Sequence, residues 1–217
     1  METKKASISY GRKFAQLFIM LFSVMIVVGF LYGPVTRILE MRDYESSPLQ
    51  TARIIGLSLY AYAADHNGHY PEGKTSTEVF QHLLDEEYVT DPQIFYASNV
   101  AMPGKTNPQN GHLKPENVCW DVTCCVDASA PDTLPLVFLT GYKVTYQAGA
   151  SAQPIVAFHG RTWWQWFSRD RFWRPFMAVH YKSNSARGIE ATDDGSIPNF
   201  IPADFDPKGK VYRQLTP

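Results

Sequence analysis

The chain has only three cysteines, Cys119, Cys124 and Cys125, in 217 residues. A dense disulfide framework is therefore excluded, and at least one thiol must lack an intrachain partner. Excess charge of one sign is also missing: 20 Lys and Arg face 21 Asp and Glu, for a net charge of −1. Nucleic acid is normally met by a concentrated basic face, so this balance gives no basis for a nucleic-acid partner. None of the six histidines sits in HExxH or another metal-ligand spacing. The chain also lacks a Gly-rich phosphate loop, a nucleophile elbow and an ordered Ser/His/Asp set. These absences leave no catalytic, cofactor-binding or metal residue to nominate, and the reading is non-enzymatic. No internal repeat is visible.

What the chain does have is apolar mass: 45% of residues are hydrophobic and 19% charged. That composition builds a core and is not that of a disordered chain. The longest apolar run is Phe14–Tyr32, FAQLFIMLFSVMIVVGFLY, without a charge. At ~1.5 Å per residue it nearly spans a ~30 Å hydrocarbon layer, which predicts a transmembrane helix over 14–33. Lys4, Lys5, Arg12 and Lys13 precede it, so the basic residues favour a cytoplasmic 1–13. The run is longer than a signal-peptide core and lacks a small-x-small site, so an uncleaved anchor is expected. The implied location is the bacterial inner membrane, single-pass, with the C-terminal domain in the periplasm.

Beyond the run, Ser47-Pro48 reads as a serine N-cap with proline at the first helical position. Leu49, Ala52, Ile55, Leu59 and Ala63 recur at helical spacing up to Asn67-Gly68. Residues 34–74 are thus expected to form an amphipathic stalk helix and a turn. Thr75–Glu78 fits a capping box, followed by a short helix with Val79, Phe80, Leu83 and Leu84 on one face. Residues 98–117 look like loop. From 118 onward short apolar runs predict strands at 118–123, 135–147, 154–159, 176–182 and 186–191. The tail, 198–217, is proline-rich and is expected to be irregular. The whole predicts an α+β protein: a long N-terminal transmembrane helix, then a head over 75–217 with a short helix and an antiparallel sheet.

Residues Thr51–Pro71, TARIIGLSLYAYAADHNGHYP, carry a resemblance. They are similar to the end of the long N-terminal helix of type IV pilin-like proteins and type II secretion pseudopilins, of the planctomycete and verrucomicrobial type. In that pattern the helix runs into a dipeptide such as Asn67-Gly68, then an aromatic, Tyr70, and a proline, Pro71. Pro34, placed early in the long helix, resembles pilins too, as does the short helix over 79–95. His180 and Asp194-Gly195 resemble a late hairpin feature of these relatives. The resemblance covers residues 14–95 best. The chain departs from the family at the processing signal, where Gly11-Arg-Lys-Phe-Ala-Gln stands in place of a Gly-Phe cleavage site followed by a glutamate. The resemblance implies a pilin-like fold without that route to cleavage and filament packing.

Three further features invite chemistry. The cysteines leave open a local disulfide, Cys119–Cys124 or Cys119–Cys125, or free thiols; an adjacent pair would close a strained ring. Asp65, Asp193 and Asp194 are candidate calcium ligands, although D-x-D-x-D spacing is absent. Residues 161–176 concentrate Trp163, Trp164, Trp166, Phe167, Arg169, Arg171, Trp173 and Arg174. Such a stretch suits core packing, contact with a partner protein, or contact with a membrane surface. The function implied is a membrane-anchored pilin-like structural protein, working through contacts with other envelope proteins and the lipid bilayer. Alternative readings are an accessory subunit of an energy-transducing or photosynthetic complex, and a true pseudopilin of a secretion or pilus system.

Overall fold

The computed structural model describes residues 3–97, 104–109, 111–155, 176–192 and 194–217, with side chains of the first helix described at 13–28 and from 47 onward. The first helix, α1, is Thr3–Asp65. The chain divides into two units, Met1–Asp43 and Tyr44–Pro217.

In the first unit the described apolar side chains all face outward; Phe14 is 72% exposed and Met25 65%. The transmembrane expectation for 14–33 is corrected here. Among the described residues no helix is long and apolar enough to cross a membrane. The single-pass inner-membrane location, with 1–13 cytoplasmic and 75–217 periplasmic, depended on that crossing and falls with it.

The second unit holds the core. Between Pro48 and Asp65, α1 buries Ala52, Ile55, Leu59 and Ala63 on one face, as their spacing dictates. The helix stops where Asn67 (φ 56°) and Gly68 (φ 83°) enter the left-handed region. The Gly68 N–H reaches back to the Ala63 carbonyl at 2.7 Å, capping an otherwise orphaned acceptor. The Tyr62 ring stacks on His66 at 3.9 Å between centroids, and Tyr88 packs against Tyr62 at 5.4 Å. Tyr88 Oη donates to Asp65 at 2.9 Å, and that bond pushes the phenol up to about 12.

Helix α2, Ser76–Asp85, starts at Thr75, whose hydroxyl accepts the Glu78 N–H at 3.2 Å. The return arm of the expected box lands one residue earlier, with Glu78 Oε2 accepting from Lys74 N–H at 2.6 Å. Val79, Phe80 and Leu83 are fully buried. Phe80 stacks on Phe95, centroids 4.5 Å apart, in the 3₁₀ turn Pro92–Phe95.

Among the described residues seven strands follow: β1 (Trp120–Cys124), β2 (Pro135–Leu139), β3 (Tyr142–Lys143), β4 (Gln153–Pro154), β5 (Phe176–Tyr181), β6 (Ala186–Glu190) and β7 (Arg213–Leu215). Five of them form an antiparallel sheet in the order β6-β5-β2-β1-β7, and β3 pairs with β4 separately. The described residues are therefore α+β. The run expected as one strand over 135–147 breaks at Gly141, φ 102°, into β2 and β3. The tail differs most from expectation. It supplies edge strand β7 and buries Phe200, Ile201, Phe205, Tyr212 and Leu215. Of the expected strand 154–159, residues 156–159 lie outside the described residues.

Both faces of the sheet are covered over β1, β2 and β5. One face, with Trp120, Val122, Val137, Leu139 and Ala178, packs with the buried side chains of α1 and α2. The other, with Leu136, Phe138, Met177 and Val179, packs with Ala152 and the returning tail. Alternation along the strands produces the two sets. The first face depends on a close approach. A Cβ at Gly56 of α1 would lie 2.1 Å from His180 Nδ1 and 2.4 Å from two ring carbons. Gly188 of β6 is tight in the same way, with Phe176 Cε2 2.1 Å from the position of a Cβ.

Gly56→Ala should therefore destabilise the fold. Helix propensity favours alanine by ~1 kcal/mol. Overpacking a filled core costs about 1–3 kcal/mol, and the buried His180 ring has little room to retreat. The urea midpoint should fall; an unchanged or raised midpoint would show that the ring swings away freely.

Candidate functional site

Polar side chains buried within the sheet are rare, so each one marks a position with a demand other than packing. The most demanding is Asp121 on β1, fully buried. It aligns with Phe138 of β2, and Thr123 aligns with Gln214 of β7. With a two-residue side-chain period, Asp121, Thr123 and Gln214 share the face that looks toward the tail. Gln214 Nε2 donates to Asp121 Oδ2 and to the Tyr142 carbonyl, each at 2.6 Å. Its Oε1 accepts the Val144 N–H at 2.9 Å. One glutamine side chain thus joins β1, β7 and the segment around β3. Thr123 Oγ1 donates to the Pro135 carbonyl, beside the register shift between Pro135 and Val137, and shares a 2.7 Å bond with Tyr146 Oη.

Burial pushes the Asp121 carboxyl up to about 7; Thr140, Gln214 and the Lys105 ammonium oppose that rise without cancelling it. Oδ1 has no hydrogen-bond partner among the described residues, the state a neutral acid tolerates better than a carboxylate. Lys105 donates Nζ to the Pro115 carbonyl at 2.7 Å, and burial lowers its own affinity for a proton.

His180 is the second buried ionisable group, 1% exposed on β5. Its Nε2 lies 3.1 Å from Asn184 Oδ1 in the turn before β6, and Nδ1 faces Gly56 without a partner among the described residues. Burial lowers its proton affinity; Asn184 opposes that and the Arg53 charge adds to it. The imidazole therefore stays neutral and acts as a packing piece between sheet and helix.

The residues singled out from sequence fare unevenly. All three cysteines are free, one of the states the sequence left open beside a Cys119–Cys124 or Cys119–Cys125 disulfide. Cys119 and Cys124 sit five apart along extended chain, about 16 Å at ~3.3 Å per residue, whereas a disulfide needs Cα atoms within ~7 Å. Cys119 is buried, and burial pushes its thiol up, with Ala97 and Lys105 opposing. Of the calcium candidates, Asp65 accepts from Tyr88, and Asp194 closes a turn by accepting from Thr192 and Ser196, which hold its carboxyl down to about 2. Asp193 lies outside the described residues. No group of three or more metal-ligating side chains occurs among the described residues. Trp163, Trp164, Trp166, Phe167, Arg169, Arg171, Trp173 and Arg174 also lie outside them. An open groove of about 220 Å³ runs between Ser47–Thr51 and Asp91–Ala97, smaller than the ~300–1,000 Å³ of ordinary ligand pockets.

Compared with known proteins, the chain matches no family model, no curated relative and no solved structure. The likeness to pilins therefore rests on the residues quoted for it. The Asp121–Gln214 pairing was not read from sequence. An aspartate inside the apolar run WDVTC was its only local sign, and its partner stands in a tail that lacks a strand pattern.

The position of Asp121 fixes a pH dependence. Its folded value, about 7, lies above the ordinary 3.8. The stability it contributes is fully present below about pH 4 and is lost as pH rises through about 7, because the unfolded chain ionises first. Urea unfolding should show stability falling across that window by on the order of a few kcal/mol. Asp121→Asn, neutral throughout, should flatten the fall. A variant with the same slope as the parent would remove Asp121 as its source.

Proposed function

We propose that this is a non-enzymatic structural protein that acts through protein–protein contacts, with α1 as its contact surface. The observation that carries the reading is the surface of α1 between Phe14 and Val28. Phe14, Ile19, Met20 and Leu21 are each more than 60% exposed and, at ~100° per residue, lie on different sides of the helix. A helix that is apolar all round is a helix that becomes buried, and an apolar surface of this extent marks an interaction site. In the second unit Ile54, Leu57 and Tyr60 add exposed apolar area on the face of α1 turned away from the core.

Two considerations support the non-enzymatic part. Asp121 and His180, two buried groups with shifted proton affinities, are sealed at 0% and 1% exposure. A general acid or base must lie within hydrogen-bond reach of a substrate, and neither does. The resemblance of Thr51–Pro71 to pilin-like proteins points to a structural role as well. The partner is an apolar helix, and the simplest supplier is α1 of another copy.

Sedimentation velocity at micromolar concentration tests this. The full chain should run as an assembly, and Leu17→Glu with Leu21→Glu should shift it to monomer. The second unit should keep its urea midpoint in that variant. A monomeric parent, or a variant that assembles as well as the parent, would overturn the reading.

A further inference from the structure

At the end of β1 the chain enters the left-handed region at Cys125, φ 66°. In a regular strand the side chains of neighbouring residues point to opposite faces. The left-handed turn breaks that alternation at the adjacent pair Cys124 and Cys125, and the Cys125 side chain is among the groups that raise the proton affinity of the Cys124 thiol. Arg213, the cross-strand partner of Cys124 on β7, donates Nη2 to Cys124 Sγ at 3.6 Å, and both cysteines raise its own proton affinity. Cys125 is exposed and Cys124 half-buried, while Cys119 is sealed in the core. Two thiols and a guanidinium therefore converge at an accessible sheet edge.

We propose that Cys124 and Cys125 are a modification site, a vicinal dithiol that undergoes thiol–disulfide exchange with low-molecular-weight disulfides. The Cys125 thiolate attacks one sulfur of the small disulfide. Its S–S bond breaks, one small thiolate leaves, and a mixed disulfide remains on Cys125. The Cys124 thiolate then attacks the Cys125 sulfur, forms the Cys124–Cys125 bond and expels the second small thiolate. The protein pair loses two electrons and two protons; the small disulfide gains both and leaves as two thiols.

The arrangement suits this chemistry at each step. The exposed sulfur meets the reagent first, and the half-buried one resolves the adduct from beside it. Arg213 is a fixed positive charge beside the pair, and at Cys124 it opposes the rise that burial imposes on the thiol. A ring closed through one peptide bond is strained, and strained, exposed disulfides are readily reduced. The pair is therefore built for reversible exchange rather than as a permanent staple.

The test incubates the full-length reduced chain with oxidised glutathione, then maps its peptides under non-reducing conditions by mass spectrometry. The peptide holding both cysteines should become lighter by two hydrogens, retain no glutathione, and recover with dithiothreitol. Cys124→Ser should stop at a glutathione adduct on Cys125. A persistent adduct in the parent chain, no reaction, or a bridge that includes Cys119 would overturn the proposal. So would loss of the adduct from Cys124→Ser.

Discussion

Burial of both faces of the five-stranded sheet over β1, β2 and β5 is the constraint on which the second unit depends. A sheet with one face in water can place its polar side chains outward. Here every residue of β2 and β5 is buried. Helices α1 and α2 close one side, and the chain must supply a second cover from whatever remains. It does so with the tail, through Phe200, Ile201, Phe205 and Tyr212. A polar residue on the covered side then needs an internal partner, because water cannot reach it. Gln214 meets that need for Asp121 from the tail's own edge strand. Cover and partner arrive on the same segment, so the tail's packing and the state of Asp121 are one problem.

The first face imposes a different condition. A helix resting on a strand must leave room for the side chains between them. Near His180 that room exists only because position 56 has no Cβ. The histidine fills space that an apolar residue could also fill. Its hydrogen bond to Asn184 ties that space to the β5–β6 turn, where Asn184 itself adopts φ 59°. Helix, strand and turn are thereby coupled through one ring, which stays neutral because charging it there would be costly.

These relations explain what the sequence disclosed. The buried face of α1 over 52–63 was legible because four residues at helical spacing are a strong local signal. The stop at Asn67-Gly68 and the cap at Thr75 are local too, decided within a few residues. Strand β7 is three residues long, too short to show a period, and it pairs with β1 about ninety positions earlier in the chain. Nothing local marks a residue as the partner of Asp121; that depends on sheet order, which long-range packing decides. The Cys119–Cys124 pairing that the sequence left open is disfavoured by a related geometry. Nearness in sequence suggested nearness in space, but an extended strand carries residues apart faster than any other element. The same strand, broken by a left-handed residue at its end, brings together the adjacent pair that the sequence had marked as strained.

The apolar stretch of α1 makes a demand that differs in kind from those of the second unit. An amphipathic helix needs one neighbour, because a single packed face covers its stripe. Over 14–28 the exposed side chains include Phe14, Ile19, Met20, Ile26 and Val27, and these face different directions around the axis. One partner helix would cover roughly a quarter to a third of that circumference, given the ~100° stripe that a single packed face occupies. The remainder would stay as exposed as before. A surface of this kind is satisfied by enclosure, so a bundle of several helices fits it and a simple dimer does not. Opposite Gly56 the same helix is shaped for one neighbour, with a bare glycine fitted to one ring. Its two stretches are thus built for different kinds of contact: specific and single in the second unit, apolar and multiple in the first.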